Sequence, residues 1–234
     1  NLVPTYYDGD DNFSFHQKSV FFQYENYTDW VNFTFGSRWA SHSATTKSVL
    51  VPRVGFSKTI DGFGAKVMYS EAFRTGDAEH LNLAATELDP EELKSYELEL
   101  SYLATSGLYK INFFKMDISD SIVFNSDAFT ENSGQIGSTG LEASWDGQGK
   151  NWQQELNVSI YRGDKNASPA QLAKDQDSYL GFPTFKASWQ LHYQWSENTT
   201  LNPTVIYENE KYWRSDQDDP SKDVKLDEVI LVNL

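Results

Sequence analysis

From Trp30 to Trp39 the chain alternates strictly. Val31, Phe33, Phe35 and Trp39 fall on one side, and Asn32, Thr34, Gly36 and Arg38 on the other. A period of two predicts a β-strand with one apolar face. The pattern recurs along the sequence. Tyr96, Leu98, Leu100 and Tyr102 oppose Glu97, Glu99 and Ser101; Leu156, Val158 and Ile160 oppose Glu155, Asn157 and Ser159. Phe185, Ala187, Trp189, Leu191, Tyr193 and Trp195 oppose Lys186, Ser188, Gln190, His192 and Gln194. Leu201, Pro203, Val205 and Tyr207 oppose Asn202, Thr204 and Glu208. Eleven such strands are expected, beginning near residues 14, 30, 49, 63, 95, 108, 135, 151, 184, 200 and 226. The first and last are the least regular.

The connections alternate as well. Those at Asn26–Asp29, Asp61–Gly62, Thr105–Gly107, Asp146–Lys150 and Ser196–Thr199 are tight. Those near 41–48, 75–94, 118–134, 163–182 and 214–226 are longer and polar. Strands of about ten residues with one rim of turns and one of loops are the signature of an antiparallel outer-membrane β-barrel. A soluble sandwich would share the two-faced strands. Two features separate the readings. Aromatic residues flank the short turns (Tyr24, Tyr27, Trp30, Phe63, Tyr102, Tyr109, Trp145, Trp152, Tyr193, Trp195), as amphipathic rings do at a lipid–water interface. Greek-key sandwiches, moreover, do not usually keep turns and loops in strict alternation.

Composition changes this picture little. Mean hydropathy is −0.58, and no apolar run approaches the ~20 residues of a spanning helix. In a barrel only alternate residues meet lipid, so each strand averages out as half polar. The net charge of −15 argues against a nucleic-acid partner, which would favour clustered Lys and Arg. The chain has no cysteine, which is compatible with an oxidising compartment without establishing one.

Candidate chemistry is sparse. His16, His42, His80 and His192 are scattered without metal-ligand spacing, so no metal site and no cofactor are expected. Glu97 and Glu99 sit two apart on one strand with no shaped pocket evident, so an acid–base pair is not expected. No catalytic residues are assigned, and an enzyme is not expected. The polar face instead supplies lumen-facing candidates: Arg53, Lys66, Arg74, Glu97, Glu99, Glu142, Lys186 and His192. Each reads first as an ordinary wet wall residue and second as a ligand or plug contact. Lys110 is a possible partner for the Glu97–Glu99 pair. The acidic run Asp216, Asp218 and Asp219 reads as a solvated loop rather than a calcium site.

Several stretches also carry a specific likeness. The chain reads VPRVGF at Val51–Phe56, GAKVMYSEAFRTG at Gly64–Gly76 and ELDPEELKSYELELSYL at Glu87–Leu103. YKINFFKMDISDSIVF at Tyr109–Phe124 and NSGQIGSTGLEASW at Asn132–Trp145 follow. This order resembles the C-terminal part of the β-barrel of TonB-dependent outer-membrane receptors, over about residues 14 to 234. Gly76 and Glu99 depart from the family pattern. The resemblance implies a barrel of about 22 strands with a plug in its lumen. The expected architecture is then an all-β, antiparallel transmembrane β-barrel segment, residues 1–234, covering roughly strands 10 to 20 and holding no plug domain.

The function this implies is uptake of a scarce ligand, such as a siderophore, vitamin or oligosaccharide, across the bacterial cell outer membrane. The expected partners are the lipid bilayer and lipopolysaccharide, a plug and the remaining strands (from the same or a separate polypeptide), and the TonB energy-coupling protein. Nucleic acid is not among them. A small self-contained passive porin for anionic or sugar solutes is the alternative. It differs in one respect: its first and last strands would pair with each other. A soluble aromatic-rich carbohydrate-binding module is a third reading.

Overall fold

The computed structural model describes residues 16–43, 45, 47–77, 80–81, 84, 87–124, 129–132, 134–163, 182–214 and 223–234. The long strands are β1 (Gln17–Tyr27), β2 (Asn32–His42), β3 (Val49–Ile60), β4 (Phe63–Arg74), β5 (Glu91–Ala104) and β6 (Gly107–Ser119). Two short ones, β7 (Ile122–Phe124) and β8 (Thr130–Asn132), lie in the next connection. Then come β9 (Gln135–Gln148), β10 (Trp152–Gly163), β11 (Phe185–Ser196), β12 (Thr199–Leu201), β13 (Thr204–Glu208), β14 (Lys211–Arg214), β15 (Asp223–Leu226) and β16 (Val229–Asn233).

One antiparallel sheet runs in the order β1-β2-β3-β4-β5-β6-β9-β10-β11-β13-β16, with β12 beside β11. Every strand on that path pairs with its nearest neighbours in the chain, the arrangement of a meander. The eleven expected strands are these eleven. β5 starts four residues before the expected Ser95, because Glu91 to Lys94 pair with Arg74 to Glu71 on β4. The expected strand from residue 200 is broken instead into β12 and β13. Pro203 has no N–H to give to the ladder, and β11 shifts register between Gln194 and Ser196.

The tight end of the sheet is built from local chemistry. Asp61 (φ 49°) and Gly62 (φ 86°) both take left-handed backbone, which a two-residue hairpin with the right-handed twist of its strands requires. At this end Phe63 stacks on Tyr102, with ring centroids 4.2 Å apart, and Tyr109 lies nearly parallel to Trp145 at 5.8 Å. Their positions share one row across four strands.

Alternation sorts the side chains onto two faces. One face carries Phe33, Phe35, Leu98, Leu100, Leu156, Val158, Trp189 and Leu191 and is apolar over most of its height. Leu98 lies between Val67 and Phe113, and Val158 between Ala143 and Ala187. Towards the long-loop end this face turns polar, with Lys94, Lys115, Asp117 and Arg162. Lys115 and Asp117 form an ion pair at 3.1 Å.

Above the wall the long connections make a small core of their own. Leu88 and Ile122 are buried there, beside Thr130, which is fully enclosed. Asn132 joins two connections: its Oδ1 accepts from the Asp89 N–H (2.8 Å), and its Nδ2 donates to the carbonyls of Asp89 (3.0 Å) and Asp120 (2.7 Å). Lys47 adds an ion pair to Asp89 at 2.5 Å. The β14–β15 hairpin is a separate two-stranded extension beyond β13 and β16.

Candidate functional site

The face opposite the apolar one carries a row of charged and polar residues. Following the pairing from β4 to β13, one row reads Lys66, Glu99, Asn112, Glu142, Ser159, Lys186 and Glu208. Four of the eight expected lumen residues, Lys66, Glu99, Glu142 and Lys186, therefore share one hydrogen-bonded row although 120 residues separate the first from the last. The register joins them, and no local pattern in the sequence does.

Within this row Lys186 pairs with Glu208 at 2.9 Å, and Lys211 reaches the same carboxylate at 3.3 Å. The Tyr161 hydroxyl donates to Glu142 at 2.7 Å. Glu99, Lys110, Asn112, Glu142, Asn157 and Ser159 line a shallow cavity of about 330 Å³. The Asn112 Oδ1 is enclosed there without a hydrogen-bond partner among the described residues. The socket thus sets two carboxylates and an unpaired amide oxygen beside the Lys110 side chain.

The other four candidates lie elsewhere. Glu97 is two residues further along β5, opposite Met68 and Phe114, and accepts from the Ser95 hydroxyl at 3.2 Å. Arg53 stands opposite Ser70 and contacts the Met68 sulfur at 3.5 Å. Arg74 sits at the long-loop end of β4 in an ion pair with Glu91 at 2.6 Å. His192 lies at the opposite end, hydrogen-bonded through Nδ1 to Asn202 at 2.7 Å. It borders a cavity of about 450 Å³ with Asp146, Gln153, Glu155 and Gln190.

The expected partnership of Lys110 with Glu97 or Glu99 is not what forms. Lys110 stands opposite Ser101 and Ser144, and its ammonium lies 3.6 Å from Asp146, two residues along β9. Sequence reasoning also left out Asn112, Asp146 and Glu208. Their alternation put them on the polar face, but only the register shows which charges they meet. Among the described residues no group of three His, Asp or Glu is placed to hold a metal ion. The acidic run at Asp216, Asp218 and Asp219 lies outside the described residues.

The model of the family described as TonB dependent receptor-like, beta-barrel, matches residues 1–234. The chain belongs to this family. Receptor barrels of known structure superpose on it at low identity. The ferric enterobactin receptor PfeA of Pseudomonas aeruginosa (G324V mutant) does so with a TM-score of 0.73 and 15% identity, over 93% of this chain and 36% of that one. The FrpB iron transporter of Neisseria meningitidis gives 0.71 and 14%, over 92% and 37%. The pyoverdine outer membrane receptor FpvA of P. aeruginosa gives 0.71 and 15%, over 93% and 35%. The chain thus spans about a third of the length of these receptors. No curated protein matches at the level of sequence. The fold is that of a TonB-dependent receptor barrel, and its membrane is the bacterial outer membrane. The family is one of receptors and transporters.

Proposed function

We propose that this chain forms about half the wall of a plugged, TonB-coupled receptor that imports a ferric siderophore or a similar iron chelate. The observation that carries this reading is the two-faced sheet. Its outward face is apolar between the girdle and the loop rim, and its inward face holds the Lys66 to Glu208 row. A wall of this kind suits an interior filled with water and protein rather than a dry core. The socket of Glu99, Asn112 and Glu142 would receive Lys or Arg side chains of a plug, since buried acceptors seek donors. Arg53, Arg74, Glu97 and His192 would remain wall residues in contact with water, plug or ligand. The ligand class follows the solved relatives, which include an iron transporter and receptors for ferric enterobactin and pyoverdine.

The remaining barrel strands would pair with β1 and β16. A self-contained porin would instead need those two to pair with each other, and they are the two edges of the sheet. Lys94, Lys115 and Arg162, outward and above the apolar band, would meet the phosphates of lipopolysaccharide, and the apolar band the bilayer.

The test is growth on a chelated iron source. A strain deleted for the whole receptor gene is supplied with ferric enterobactin or ferripyoverdine in iron-limited medium, with TonB present or absent. Growth restored by the receptor only when TonB is present supports the reading. Passage that continues without TonB would return the protein to the passive porins, and growth on neither chelate would remove iron complexes as the ligand class.

A further inference from the structure

The outward face holds one charge that the membrane wall does not explain. Among the described strand residues of that face at the tight-turn end, Lys58 is the only charged side chain. It interrupts the column Ile60, Phe56 and Val54 on β3, and it is half-buried. Its ammonium donates to the carbonyl of Asp29 in the β1–β2 turn. That acceptor holds the side chain at the level of the aromatic girdle and occupies one of three N–H donors.

Beside it the wall is notched. Ala65 stands directly opposite Lys58 and is followed in the row by Leu100. The small side chain leaves a groove of about 480 Å³ between Lys58, Ile60, Phe63, Leu100 and Tyr102. One side of the groove is the stacked Phe63–Tyr102 pair. The result is a long apolar slot with a cation at its periplasmic end.

We propose that this groove is a site for a single glycerophospholipid of the periplasmic leaflet. The phosphate diester lies against the Lys58 ammonium, and one acyl chain lies along Ala65 between the girdle rings. The chemistry of both parts points to this occupant. A lone lysine in a lipid-facing column is costly unless its charge reaches the interface and is met there. The headgroup phosphate is the anion present at that depth. A flexible acyl chain fills an alanine notch that no protein side chain fills. The inference rests on the outer-membrane placement of the sheet and is independent of the ligand the receptor carries.

The experiment uses the whole receptor, purified in mild detergent, incubated with phosphatidylglycerol and examined by native mass spectrometry. Lys58→Gln removes the cation and keeps the size. Ala65→Phe fills the notch, and an aromatic residue is welcome on the lipid face. Ser57→Ala, on the inward side, serves as the control, and heat-modifiable migration confirms that each variant is folded. The expected result is one retained phospholipid in the parent and the control, and at least a tenfold loss of retention in both groove variants. Unchanged retention in either groove variant overturns the site, as does a parent that retains no phosphatidylglycerol. Should Lys58→Gln fail to fold, Ala65→Phe alone decides, because it leaves every charge in place.

Discussion

Lys66 on β4 stands directly opposite Glu99 on β5, one residue away from the apolar pair Val67 and Leu98 on the other face. Two positions that touch along the backbone therefore belong to opposite solvents. The strand alternation, not the distance from the turn, decides which charge the wall accepts.

Arginine at Leu98 or Val158 should cost about 2–4 kcal/mol of barrel stability, the usual penalty near the bilayer midplane. The same substitution at Glu99 or Asn157, one residue along each strand, should cost little. Unfolding of the whole receptor from lipid vesicles in guanidinium measures both. Equal penalties on the two faces would reverse the assignment of inside and outside.

Gly140 should not tolerate alanine. A Cβ there would lie 2.6 Å from the Ile160 carbonyl oxygen and would also strike the Phe114 ring. The ring can swing away, but the backbone oxygen is fixed by its strand. Overpacking of this kind costs about 1–3 kcal/mol. The same unfolding titration should show it, and Phe114→Leu, which relieves only the ring contact, should restore only part of the loss.

Asn132→Ala should loosen the loop cap while leaving the wall intact. The change strips partners from the Asp89 N–H and from two carbonyls, which are partly open to water, so each lost bond costs about 0.5–1.5 kcal/mol. Hydrogen exchange should accelerate around Leu88 and Ile122 and stay unchanged in β5 and β6. Uniform acceleration would show instead that the cap and the wall melt together.

The cap should also weaken in alkali. The hydrogen bond and charge of Asp89 raise the Lys47 ammonium above its ordinary 10.5. A folded-state value above the unfolded one stabilises the structure fully below the unfolded value, and the contribution is lost as pH rises through the folded value. Exchange protection near Asp89 should therefore hold up to about pH 10 and fall above it. Lys47→Met should abolish this step, and high salt should diminish it, because the pair is exposed.

The strands were legible because lipid imposes a chemical period on them. Tyr96 to Tyr102 or Phe185 to Trp195 can be read without neighbours, since each outward residue meets the same solvent. The β7–β8 and β14–β15 hairpins lie beyond that solvent and show no such period, so they read only as loop. The lumen row was half legible. Alternation puts Lys66, Glu99, Glu142 and Lys186 on the polar face, but their common row depends on five successive registers. A register is set by turn length and by contacts between strands, which no single segment contains. That is why Lys110 was matched with Glu97 and Glu99, whereas its ammonium reaches Asp146 instead.

The meander order has a kinetic consequence. Each of the five tight turns joins two strands that are partners, and the longer connections also lead to the next strand on the path, so every pair on it is sequential. Loop-closure entropy is then met one hairpin at a time, and short-range pairing favours rapid assembly. A growing sheet of this kind always offers one fresh edge as a template for the hairpin that follows. The wall can therefore be laid down like courses of brick, in chain order, and an error in register at β5 would be inherited by every strand added after it.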